Sequence, residues 1–354
     1  MRRCKQCILP ENFPQISFDE QGVCCFCRNE SGVPEVSAAE KQDKLADFER
    51  TVEACKGSGS DYDCLVTLSG GKDSTYIAYV MKEEYGLRVL TFTIDMGFMS
   101  KTALENVRHA VNKLDVDHVL FKPRQGFYNK LFGYLFTHMS AEGAVPSVCY
   151  VCGPVTDGMA LKFAVEKGIP LILHGYGPNQ PPDTRYFYEF PRPHLEGEGF
   201  SPSIFQNPPF DDRDRDVIWD YRRYKDHHAS LPRVLMPLHV LDYDEDVVRR
   251  KVESLGLIQR GKSSPMATNC LLNWPMIYFQ QKKLGYMPYL DFFSDLIREG
   301  RASRKKWLLM ERIVSLQVKL GLFKRKEIRN VLKKLGITEE DIINHEWRKK
   351  GYIK

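Results

Sequence analysis

No apolar run in the 354 residues approaches the roughly 18–20 that a membrane span needs, so no spanning helix is expected. The opening "MRRCKQCILP" carries charge without an apolar core, which argues against a secretion signal. Internal repeats and low-complexity tracts are missing, so neither a solenoid nor a disordered tether is expected. Residue 2 is Arg and no Gly-x-Cys-x-Gly elbow occurs, so no built-in glutaminase with a cysteine nucleophile is expected. A Walker loop is absent as well. In "TLSGGKDST" (Thr67–Thr75) Val66 stands where the first glycine belongs, and Asp73, not Ser or Thr, follows Lys72.

What remains is the composition of a globular chain, 43% apolar and 27% charged, long enough for two or three folding units. Most of the ten cysteines fall in Cys-x-x-Cys pairs. Without an export signal, that pattern favours metal thiolates in a reducing cytoplasm over disulfides. The net charge of +5 is uneven: residues 298–354 hold 17 Lys/Arg against 7 Asp/Glu. Such a tail can contact nucleic acid, an anionic substrate or an acidic partner, or simply form solvated helix faces.

Strand-like and helical patterns alternate from "CLVTLS" (Cys64–Ser69) through "RVLTFTID", "DHVLFKP" and "IPLILHGYG", with "DSTYIAYVMKEEYG" and "KTALENVRHAVNKL" between. This alternation predicts an α/β fold with a doubly wound parallel sheet, whose ligands sit at the carboxyl ends of the strands. Ser69, Asp95 and His174 fall at such ends. The expected organisation is an N-terminal zinc ribbon over 1–35, a linker helix over 36–60, a core domain over 61–260 and a basic, helical C-terminal region over 261–354. Residues 180–232, rich in Pro, aromatics and charge, follow neither period and read as a substrate-binding insertion or lid.

Cys4-x-x-Cys7 and Cys24-x-x-Cys27 have the spacing of two knuckles of a four-thiolate zinc site, with Cys25 as a substitute ligand of poorer spacing. Cys149, Cys152 and Cys270 form a second set that fits an iron–sulfur cluster or a second zinc, or equally well buried cysteines near a nucleotide pocket. In the loop itself, a strand followed by Ser-Gly-Gly and then a helix makes an anion site. Glycines permit close approach and the free amides of the first turn point at the anion. Lys72 adds positive charge and Asp73 offers a hard oxygen to Mg²⁺.

"SGGKDS" (Ser69–Ser74) resembles the PP-loop of the ATP pyrophosphatase superfamily. The resemblance implies that the loop grips the β,γ-pyrophosphate of ATP as a leaving group while a substrate oxygen attacks the α-phosphorus. It implies ATP contacts from Leu68, Ser69, Gly70, Gly71, Lys72, Asp73, Ser74, Thr93, Asp95, His174 and Gly175, with Ser69, Lys72, Asp73 and Lys262 in catalytic roles. His174 is equally readable as a structural strand-end histidine. Lys262, Ser263 and Ser264 in "GKSSPMATN" are phosphate or nucleotide-sugar candidates, or a plain turn, and Arg185, Tyr186 and Tyr188 are candidates for holding the sugar.

Within the superfamily, "CKQCILPENFPQISFDEQGVCCFC", "MPLHVLDYDEDVV" and "GITEEDIINHEW" are similar to the N-acetyl sugar amidotransferases of bacterial lipopolysaccharide (O-antigen) and flagellar-glycan synthesis. That implies a nucleotide-activated N-acetyl sugar as substrate and ATP, Mg²⁺ and Zn²⁺ as cofactors. It also implies ammonia from a separate glutaminase through a barrel-shaped, cyclase-like partner, docked on a hydrophobic or basic face. The alternative branch is tRNA thiolation with an iron–sulfur site. "HGYGPNQPPD" departs from the Gly-His and paired Asp of that branch, which disfavours a nucleic-acid partner.

Overall fold

A computed structural model describes residues 1–28, 37–59, 61–177, 188–197, 199–200, 202–225, 231–264, 268 and 270–347. The chain divides into two compact units, each discontinuous. The first gathers 1–35, 129–151 and 272–354, and the second 36–128 and 152–271.

The second unit is built on a five-stranded sheet: β1 (Cys64–Thr67), β2 (Val89–Ile94), β3 (Asp117–Phe121), β4 (Leu171–Leu173) and β5 (Arg233–Leu235). All pairings are parallel, in the order β3-β2-β1-β4-β5. The doubly wound sheet expected from the alternation is therefore present. Side chains alternate across it. Cys64 and Val66 of β1 with Leu171 and Leu173 of β4 face one apolar layer, and Leu65 with Ile172 the other.

The first layer is covered by α1 (Ala38–Cys55) and α2 (Lys72–Tyr79) and by the π-helical turn Val80–Glu84. Phe48 and Val52 of α1 lie fully buried there. The segment expected as a linker is thus part of the core. Between β2 and β3 runs α3 (Lys101–Leu114), strongly two-faced, with Ser100 capping its first turn. Two further helices follow, α4 (Gln125–Thr137) and α5 (Tyr150–Lys167). Ala160, Leu161 and Ala164 of α5 pack on the opposite layer. Taken from Val145, this helix is long and apolar enough by length and composition to cross a membrane, but 61% of that window is buried, as in a helix of a protein core.

Within the insertion the described residues include α6 (Arg192–Glu196) and α7 (Asp212–Arg215). Phe190, Phe200 and Trp219 are buried against the sheet, and Glu189 bridges to Leu235 of β5. Its aromatic richness therefore reflects core packing in this part, since large rings fill the layer that α5 leaves open. Then α8 (Glu245–Ser254), started by Asp244, returns to the first layer through Val252.

The first unit joins the cysteine-rich N-terminus and most of α4 to the C-terminal helices α9 (Asn273–Leu284), α10 (Leu290–Arg298), α11 (Arg304–Lys319), α12 (Arg325–Leu335) and α13 (Glu339–Ile343). Its apolar centre packs Cys4, Cys7, Ile8, Leu9 and Cys24 against Tyr286, Leu290, Phe293 and Trp307.

Candidate functional site

In this sheet the chain runs outward from β1 to β2 and β3, then crosses to β4 and β5 on the other side. The carboxyl ends of β1 and β4 flank the point of reversal, where parallel sheets open a crevice for ligands. Both ends carry expected residues: Ser69–Ser74 after β1, His174 and Gly175 after β4.

The loop is shaped by its glycines and serines. Gly70 has φ of +79°, and a Cβ there would lie 2.1 Å from the Ala103 carbonyl oxygen, so only glycine fits. Gly71 is the N-cap of α2 and no side chain caps that turn, so the leading amides of the helix are left to an external acceptor. The Ser69 amide donates to Ser74 Oγ at 3.1 Å and the two hydroxyls meet at 3.0 Å. The Gly71 amide reaches Ser69 Oγ at 3.3 Å. Gly175 closes the other side, where a Cβ would stand 2.6 Å from Ser74 N and Cα.

Lys72 and Asp73 face each other rather than the crevice alone. Lys72, 6% exposed, places Nζ 2.7 Å from Asp73 Oδ2 and 3.5 Å from Glu245. Tyr243 donates to Asp73 Oδ1 at 2.8 Å. The lysine charge expected on the phosphates is thus committed to two carboxylates. What the loop offers an anion is chiefly backbone dipole.

Around the loop, Asn106 is the hinge pin that the sequence reading missed. Its buried Nδ2 donates to the Gly70 carbonyl at 2.9 Å and to the Lys262 carbonyl at 3.0 Å, tying the 262 turn to the loop. An asparagine inside the buried face of an amphipathic helix was the available signal. Lys262 Nζ itself pairs with Glu105 at 3.2 Å. Ser263 is buried and gives its hydroxyl to Glu253, fastening the turn; Ser264 is exposed. Thr93 is buried and donates to the Leu68 carbonyl, holding β1 against β2. Asp95 accepts from the Gly97 amide at 2.8 Å and lies 3.6 Å from Lys122.

His174 is only 2% exposed. Its Nδ1 lies 2.9 Å from Thr67 Oγ1 and 3.6 Å from Asp157, while Nε2 has no hydrogen-bond partner. Burial drives its pKa down to about 3, so the ring is neutral. Burial likewise pushes Asp157 up to about 7, opposed by the Tyr176 hydroxyl that donates to it at 3.1 Å. Thr67, Asp157 and Tyr176 were not foreseen; nothing in their spacing links them. Of the sugar candidates, Arg185 and Tyr186 lie outside the described residues. Tyr188 is a correction: 7% exposed, with its hydroxyl on Asp47 at 3.3 Å, it belongs to the core under β5.

In the first unit, Cys4, Cys7, Cys24 and Cys27 bring their sulfurs within 4.8 Å of one another. Among the described residues this is the one group of three or more His, Cys, Asp or Glu placed to share an ion. A tetrahedron with zinc–sulfur bonds of about 2.3 Å has edges of about 3.8 Å. The Cys4–Cys27 and Cys7–Cys24 separations are 3.8 and 3.7 Å. The donor set therefore fits a tetrahedral thiolate metal. Hydrogen bonding from Cys27 pulls Cys7 down to about 5, and Arg304 holds the Cys4 and Cys7 carbonyls at 2.7 Å each. Cys25 stands aside, its sulfur accepting from the Ser17 amide at 3.4 Å. Of the second cysteine set, Cys149 lies in the first unit and Cys152 and Cys270 in the second. Cys149 donates to Met276 Sδ at 3.9 Å and Cys152 to Met96 Sδ at 3.6 Å. No disulfide joins any of the ten cysteines.

Residues 46–145, which include the loop, match the family model described as asparagine synthase. This match supports the PP-loop ATP pyrophosphatase superfamily for that stretch, and with it an ATP-using enzyme. The uncharacterised protein MJ1599 of Methanocaldococcus jannaschii is 28% identical over 175 residues, 49% of this chain and 58% of that protein. A tRNA-specific 2-thiouridylase, MnmA of Clostridioides difficile, is 23% identical over 210 residues, 56% of this chain and 52% of that one. The chain thus spans less than two thirds of the length of these curated relatives. Among solved structures, the U34-tRNA thiolase NcsA from Methanococcus maripaludis with its 4Fe-4S cluster aligns over 96% of this chain and 90% of its own, at 13% identity and a TM-score of 0.39.

Proposed function

We propose that the chain is an AMP-forming, ATP-dependent amidotransferase acting on the N-acetyl group of a nucleotide-activated sugar. The observation that carries the ATP step is the uncapped start of α2 behind Ser69-Gly70-Gly71, set at the reversal point of the sheet. On this reading the leading amides of α2 hold the β,γ-pyrophosphate, with Ser69 and Ser74 fixing the loop's curvature. Mg²⁺, bound through Asp73 and phosphate oxygens, would offset charge on the departing pyrophosphate. The amide oxygen attacks the α-phosphorus, the bond to the β-phosphate breaks, and an O-adenylate forms. Ammonia then adds to the activated carbon, AMP departs and one proton is lost, leaving an acetamidino group. An amide oxygen is a poor leaving group until phosphorylated or adenylated, which is why such an exchange consumes ATP. Resemblance of the N-terminal cysteine run and of "MPLHVLDYDEDVV" supports the sugar acceptor, and the same resemblance supports ammonia from a separate glutaminase and channelling partner. Zn²⁺ on the four N-terminal cysteines is structural on this reading.

A second reading is tRNA thiolation by the same adenylation, favoured by the 2-thiouridylases among the relatives. The two separate in one experiment. Purified protein with ATP, Mg²⁺ and ammonia is assayed for AMP and pyrophosphate against UDP- and CMP-linked acetamido sugars and against bulk tRNA, with metal analysis of the same sample. Sugar-dependent AMP is expected. AMP release that ignores sugar overturns the acceptor assignment, and RNA-stimulated turnover with bound iron establishes the rival.

A further inference from the structure

The helix α11 carries an apolar stripe on its outer side. Leu309, Ile313, Leu316 and, just past its end, Leu320 are 58%, 44%, 57% and 61% exposed. Their spacing of three or four residues puts them on one face. Its other face is already used. Trp307 stacks on Phe293 with ring centroids 3.5 Å apart, and Val318 is buried. Contiguous exposed leucines of this kind mark an interaction surface.

The same helix borders a groove of about 570 Å³. Arg312 and Lys319 line it beside Leu316, and neither has an ion-pair or hydrogen-bond partner among the described residues. Gln281, 93% buried, also lines the groove and leaves its Oε1 acceptor unsatisfied. From residue 300 to 326 the sole acidic residue is Glu311, which is buried on Arg3. The apolar stripe is therefore framed by cations with no exposed acid between them.

We propose that α11 docks a partner protein through an amphipathic segment: an apolar ridge seated on Leu309, Ile313, Leu316 and Leu320, with carboxylates facing Arg312 and Lys319. The charge pattern selects this occupant. A second copy laid face to face would oppose cation to cation, which costs specificity and affinity. An acidic helix face meets both requirements, burying leucines centrally with ion pairs at the rim. This inference is independent of which acceptor the ATP-using unit takes.

The test places a photo-crosslinking amino acid at Leu320 in the full chain, expressed in its own cells, and maps the crosslinked peptide by mass spectrometry. Expected is one partner protein, joined through a segment of alternating apolar and acidic residues. Crosslinking should fall at least tenfold in the Arg312→Glu, Lys319→Glu double variant, whose circular dichroism and metal content stay as in the parent. Lipid adducts, a crosslink to another copy of this chain, a partner segment without carboxylates, indifference to charge reversal, or no adduct at all would each overturn the proposal.

Discussion

Asp157 and His174, 3.6 Å apart and both buried, titrate in opposite senses. Asp157 is held neutral by burial up to about pH 7, so its contribution to stability is full below about pH 4 and is lost as pH rises through 7. His174 is also held neutral, so its contribution is full above about pH 6.5 and is lost as pH falls toward 3. Between roughly pH 4 and 6.5 the two slopes oppose each other. Asp157→Asn removes one of them. Differential scanning calorimetry across pH 4–8 should show the variant gaining stability relative to the parent as pH rises, most of the change falling between pH 4 and 7. Parallel profiles for the two proteins would show that burial does not shift Asp157. At this scale the sequence was legible where backbone dictates the residue: Gly70, Gly71 and the cysteine knuckles announce their own geometry. It was opaque where partners are far apart in the chain, as with Thr67, Asp157 and Asn106. It misled at Tyr188, whose hydroxyl had no visible reason to sit in the core.

Two secondary structure elements meet closely where β4 delivers Gly175 to the first turn of α2. Because the nearest atoms are backbone, Gly175→Ala cannot be absorbed by a rotamer change. Overpacking of this kind costs about 1–3 kcal/mol, so the loop should shift and ATP affinity fall about tenfold or more, read by equilibrium binding of a fluorescent ATP analogue. Unchanged affinity would mean that the loop and β4 do not act as one cradle. The strands themselves were readable from their apolar alternation with helices, as was the amphipathic α3. The insertion was not. Pro and aromatic density signals irregular backbone, but whether the rings face a ligand or the protein's own sheet depends on the layer that α5 leaves uncovered. Helix α1 was seen, yet its role was misjudged, because Phe48 and Val52 become core residues only once the sheet exists to receive them.

On the scale of the whole chain, the two units assemble from separated stretches of sequence, a division that composition and local pattern cannot reveal. One consequence for the first unit is testable. Its apolar centre is built around the four thiols, so metal binding should contribute directly to its folding. Metal analysis should give about one zinc per chain, and stripping it with a chelator, or Cys4→Ser, should lower the melting temperature; an unchanged transition after the metal has left would refute the structural role. The second unit carries its own consequence, at the end of a catalytic cycle. Since Lys72 is engaged by Asp73 and Glu245, the loop meets its anion mainly with dipoles, whose hold decays faster with distance than that of a fixed charge. On the proposed adenylation, pyrophosphate severed from the nucleotide would be held by these dipoles and by Mg²⁺ leaving with it, not by the lysine. Turnover on such a loop would then be paced by the bond-making steps rather than by a product trapped on a lysine.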